Sequence, residues 1–63
     1  MRNINRIDPM LEDLKILWLK NPDLRLGQLL HMAAVTGGWH DNDLFYLEDD
    51  KMASYIKKAI IIE

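Results

Sequence analysis

Sixty-three residues and 7.4 kDa hold one domain, with an expected radius of gyration of roughly 11 Å and an accessible surface of about 4,200 Å². At this size, hydrophobic burial of on the order of 90 kcal/mol meets an ordering cost of about 95 kcal/mol, and with no cysteine neither disulfides nor thiolate-held zinc offsets the shortfall. A composition of 49% hydrophobic and 29% charged residues with three Gly and two Pro excludes disordered, collagen-like and low-complexity classes.

No apolar run approaches the roughly 18 residues that span a bilayer, and Met1-Arg2-Asn3-Ile4-Asn5-Arg6 is not followed by a signal-peptide core. The expectation is a cytoplasmic protein without a membrane partner. The net charge is −2, but Asp41, Asp43, Glu48, Asp49 and Asp50 crowd into ten residues. Lys and Arg neutralise phosphates, so this balance argues against nucleic acid as a partner. Carboxylates before a helix also have a plain role, because they complement the helix dipole.

The pattern predicts an all-α, three-helix domain over residues 1–63, with 1–6 as an N-terminal extension and 61–63 as a tail. The first helix is predicted to begin at Asp8-Pro9, with Asp8 capping and Pro9 at the first helical position. Ile7, Met10, Leu11, Leu14, Leu17 and Trp18 lie within about 60° either side of Leu14, which makes them the expected core stripe. Ile16 and Leu19 fall about 140° to 200° from Leu14, on the face expected to be wet. Asn21-Pro22 ends the helix, because the residue before a proline is pushed out of the α region.

The second helix is predicted over about Leu24 to Thr36, with an apolar arc of about 200°. Its start is open between capping by Asp23 and a start two residues later, which makes Leu24 and Leu29 a hydrophobic staple. Gly27 marks either a close backbone approach or a loose first turn. Gly37 is expected as the left-handed cap at the far end.

Leu44-Phe45-Tyr46-Leu47 reads as either extended chain or the lead-in to a helix. The third helix starts near Glu48-Asp49 and places Met52, Ala53, Ile56, Ala59 and Ile60 on one face, with Tyr55 at its border. Lys57 and Lys58 are expected to complement its C-terminal dipole. Ile61 and Ile62 extend past the stripe as tail or as surface for a partner.

The tests for chemistry return little. Asp41-Asn42-Asp43 opens like a calcium loop, but Phe45, Tyr46 and Met52 occupy the positions that need a ligand, a Gly and a bidentate Glu. His31 and His40 stand nine residues apart and make a poor transition-metal pair. His40 beside Asp41 and Asp43 has the residue types of an oriented base, yet no nucleophile or Gly-rich anion cradle accompanies it. A DNA-reading third helix would open on Glu48, Asp49 and Asp50, facing phosphates. The reading is therefore a chain with no catalytic residue, no metal and no cofactor.

What remains points to protein partners. Ile16, Leu19, Ile61 and Ile62 are the expected interface of a homodimer. Trp39 and Tyr46, with Phe45, bring aromatic residues into or beside a loop, and aromatics anchor interfaces; alternatively Trp39 folds back over the core as a lid. Arg25 and Gln28, on the border of an apolar helix, are candidates for partner contact or for local hydrogen bonding. The leading functional reading is a non-enzymatic protein-interaction module. The second is an inhibitor of a host defence or nucleic-acid-processing protein, acting through Asp41, Asp43, Glu48 and Asp49, since an acidic patch fits a basic groove. The third is a small nucleic-acid-binding regulator.

Two blocks, Asn21-Pro22-Asp23-Leu24-Arg25-Leu26-Gly27-Gln28-Leu29-Leu30 and Asp43-Leu44-Phe45-Tyr46-Leu47-Glu48-Asp49-Asp50, resemble those of a set of short uncharacterised proteins of bacteria and their phages. In that set a helix ending in Trp leads to a PDxRLGQL block and then to a DPFY-type patch before an acidic helix start. The likeness covers about residues 6 to 58; Leu44 stands where the pattern has Pro, and the isoleucine tail is a further departure. The resemblance implies an independently folded domain and a phage-borne origin, and it carries neither an activity nor a ligand.

Overall fold

The computed structural model describes residues 3–41 and 43–62, so Met1, Arg2 and Glu63, at the ends of the expected extension and tail, and Asn42 lie outside it. Three α-helices make the domain: α1 (Ile7–Lys20), α2 (Leu26–Gly37) and α3 (Asp49–Ile62). Two single 3-10 turns, Ile4–Arg6 and Leu44–Tyr46, precede α1 and α3. No strand occurs among the described residues. The Cα radius of gyration is 11.2 Å.

α1 starts one residue before the predicted cap, because the turn Ile4–Arg6 runs into it without a break. Asn3 does the capping expected of Asp8: its side chain accepts the N–H of Asn5 at 2.9 Å. Asp8 and Pro9 lie inside the first turn, where a missing N–H leaves no bond unmade. At the other end Asn21 donates its backbone N–H to Trp18 O at 3.0 Å and its side-chain amide to Leu17 O at 3.1 Å.

α2 takes the later of its two starts. Arg25 is the residue before the helix and Gln28 Oε1 accepts its N–H at 2.9 Å, half of a capping box; Arg has no acceptor with which to supply the other half. Leu24 is then half-buried on the core and Leu29 fully buried, the two ends of the staple. A Cβ at Gly27 would meet nothing within 4 Å, so Gly27 marks a loose first turn and no close approach.

The left-handed cap of α2 is Gly38, at φ 105°, one residue later than expected. Trp39 donates its N–H to Ala34 O at 2.9 Å and Gly38 to Val35 O at 3.0 Å, which satisfies two of the four carbonyls of the last turn. Gly37 is still helical and is needed for a different reason: a Cβ there would collide with the Tyr55 ring of α3.

Leu44–Tyr46 form a 3-10 turn capped by Asp43, whose carboxylate accepts the N–H of Phe45 at 2.9 Å, and Leu47 is extended between that turn and α3. Leu44 and Leu47, three apart, pack against the core, while Phe45 and Tyr46 face outward with their rings edge to face at 5.1 Å. α3 includes Ile61 and Ile62. Its last turn therefore holds no basic residue, and Lys57 reaches Asp13 of α1 at 3.6 Å instead of the helix end.

The core is Leu17 from α1, Leu29 and Ala33 from α2, and Met52, Ile56 and Ala59 from α3. α3 packs on both other helices, more extensively on α2. α1 contributes one fully buried residue and the half-buried Met10 and Leu14, and polar links tie it to α3 along its length: Arg6 Nε to Asp49 Oδ2 at 2.8 Å, Asp13 to Lys57, and Lys20 Nζ to Ile60 O at 3.2 Å. That succession makes α1 and α3 parallel.

Candidate functional site

The inner face of α1 is not the one its pattern predicts. The expected stripe is centred on Leu14, but the buried residue is Leu17, with Met10, Asp13 and Leu14 half-buried around it. On the wheel this turns the helix by about 60°. The reason lies in Arg6, Asp13 and Lys20, seven residues apart, which all face α3 and make the three polar links.

The rotation leaves three residues of the predicted core outside. Ile7, Leu11 and Trp18 are exposed, Leu11 at 56% and Trp18 at 37%. They lie about 80° to 120° from Leu17, with Leu14 at about 60° between them and the core. Leu19, 68% exposed, adjoins them. Leu11, Leu14, Lys15, Trp18, Leu19 and Pro22 line a surface groove of about 380 Å³. The indole of Trp18 is pinned at its floor by donating Nε1–H to Leu24 O at 2.9 Å, so the ring presents a fixed apolar wall. Lys15 is the single ionisable group lining this groove.

Among the expected interface residues, Ile16, Leu19, Ile61 and Ile62 are all exposed. Leu19 belongs to the groove. Ile16 lies about 100° from Leu17, on the flank of α1 away from Leu11 and Trp18. Ile61 and Ile62 diverge by 100° at the end of α3, so the four do not form one patch with the groove.

The expected partner-binding residues divide by what already occupies them. Gln28 holds the N–H of Arg25, leaving the exposed Arg25 side chain at the start of α2. Trp39 folds back to half-burial, and its Nε1 is enclosed without a hydrogen-bond partner among the described residues. Asp41 accepts the N–H of Asp43 at 3.0 Å, and Asp43 caps the following turn. Asp49 pairs with Arg6. Much of the acidic stretch thus organises its own backbone, while Phe45 and Tyr46 stand fully outward beside it.

His40 is exposed and makes no hydrogen bond to Asp41 or Asp43 among the described residues. Among the described residues no group of three or more His, Cys, Asp or Glu converges there either. No described helix is long and apolar enough to cross a membrane. No protein-family model, curated protein or solved structure matches the chain.

The residues that sequence reasoning missed are Leu11, Trp18 and Pro22, the first two assigned to the core and the third to a helix stop. The signal was the excess itself. Apolar positions on α1 cover more arc than a three-helix domain can bury, and the polar heptad line of Arg6, Asp13 and Lys20 marks which side is taken.

Proposed function

We propose that this protein is a non-enzymatic protein–protein interaction module that works as a homodimer. The observation carrying the reading is the second apolar face of α1, where Leu11, Trp18 and Leu19 remain exposed around a groove with a rigid aromatic wall. The groove's chemistry, apolar apart from one lysine, suits packing and offers no acid–base pair.

Sedimentation velocity or light scattering over a range of micromolar concentrations tests the reading. A species of twice 7.4 kDa is expected, dissociating on dilution. Ile16→Glu with Leu19→Lys is expected to give a monomer or an unfolded chain, and Leu19→Lys alone, the change within the groove, to give a folded monomer. A monomer at every concentration with a high melting temperature overturns the proposal.

A further inference from the structure

The face of α1 is matched to a copy of itself in one orientation. Ile7, Leu11, Leu14 and Trp18 occupy about 60° of arc over three turns, a stripe with large side chains either side of a groove. A two-fold axis near Leu14 and Lys15 sets Leu11 of one chain against Trp18 and Leu19 of the other, so each copy supplies both the projecting residue and the hollow, as an isologous contact requires.

Charge selects the direction. The N-terminal half of α1 carries Asp8, Glu12 and Asp13, the C-terminal half Lys15 and Lys20. Asp13 and Lys20 are committed to α3, whereas neither Glu12 nor Lys15 has an ion-pair partner among the described residues. Both border the apolar stripe on the Leu19 side, at about 160° and 220° from Leu17. Antiparallel pairing keeps like flanks together and gathers Lys15 and Glu12 of both copies on one side of the axis, the two lysines innermost and each about two residues from the other copy's Glu12, so the four charges cancel; parallel pairing sets every residue at the height of its own copy. The helix dipoles also oppose in the antiparallel arrangement.

We infer that a second copy of this chain seats on the Leu11–Trp18–Leu19 groove with its α1 antiparallel, about a two-fold axis at Leu14–Lys15, flanked by two symmetric Lys15–Glu12 pairs. This rests on the homodimer reading and gives it a geometry.

The chain has no cysteine, so single cysteines report distances between copies without interference. Lys15→Cys places two thiols beside the axis, and Asp8→Cys, on the same flank, places them roughly 20 Å apart along antiparallel helices. With a short bismaleimide, Lys15→Cys is expected to give a covalent dimer and Asp8→Cys none. Cross-linking of both means parallel pairing and overturns the inference. Cross-linking of neither, when sedimentation still finds a dimer, overturns the α1 geometry and leaves the homodimer reading standing; Ile61→Cys cross-linking then locates the contact at the end of α3. A monomer in sedimentation removes both. Lys15→Glu is further expected to weaken association about fivefold, with Glu12→Lys added to it restoring the affinity; no restoration counts against the cross-pairing.

Discussion

Leu17→Ala and Leu11→Ala separate the two possible inner faces of α1. These residues stand three positions either side of Leu14, so a helix centred on Leu14 charges the same for both. In the structure Leu17 is fully buried among Leu29, Ile56 and Ala59, and Leu11 is more than half exposed. Truncating a buried leucine costs about 3 kcal/mol, transfer plus cavity, whereas Leu11 loses about 0.5 to 1 kcal/mol of partial burial. A domain of this length has roughly 3 to 9 kcal/mol in total, so Leu17→Ala lowers the melting temperature by about 12–24 °C and brings the chain close to unfolding. Circular dichroism during heating and urea titration measures both variants. At concentrations where the wild type is monomeric, Leu11→Ala should lie near it; at higher concentration its deficit should grow as the partner's contribution is lost, while that of Leu17→Ala persists throughout. Equal costs at high dilution would refute the rotated face and with it the exposed groove.

Gly37→Ala is expected to destabilise by about 1 to 3 kcal/mol through collision with Tyr55, and Tyr55→Ala in the same chain should cost less than the sum of the two changes; strict additivity in a denaturation double-mutant cycle argues against the contact. Arg6→Met should cost under about 1 kcal/mol, because the pair with Asp49 is more than a third exposed on each side, and the loss should shrink in 1 M salt, where the screening length is about 3 Å. A large, salt-independent loss means that the Arg6 stem acts by packing.

The three-helix architecture was legible because its punctuation is local: Asn21-Pro22, Gly37-Gly38 and the acids at Glu48-Asp49 mark ends within a residue or two. The inner face of α3 was legible too, since Met52, Ile56 and Ala59 keep helical spacing while Asp50, Lys51, Ser54, Lys57 and Lys58 fall on the opposite side. α1 was not, for a physical reason. Its apolar residues exceed one face, and periodicity alone centres the stripe on the mean of all of them. The rotation is decided by Asp13 and Lys20, polar side chains that reach a neighbouring helix rather than solvent, and no single-helix pattern distinguishes those uses. Leu44 to Leu47 was ambiguous because a 3-10 turn puts positions i and i+3 on one side, a period neither of strands nor of α-helices.

The polar links between α1 and α3 bear on the order in which the domain assembles and opens. α2 and α3 are neighbours in the chain and pack on each other more extensively than α1 packs on α3, so they form the cooperative unit, and the segment they must close is far shorter than the one between α1 and α3. α1, held by one fully buried leucine, the half-buried Met10 and Leu14, and a row of solvent-accessible bonds, is expected to be the segment whose amides exchange first. In the proposed dimer the contact would lie on this least anchored helix and recognition would be coupled to local folding: closing the groove on a second chain would also fasten α1 to its own domain, and releasing the partner would loosen it.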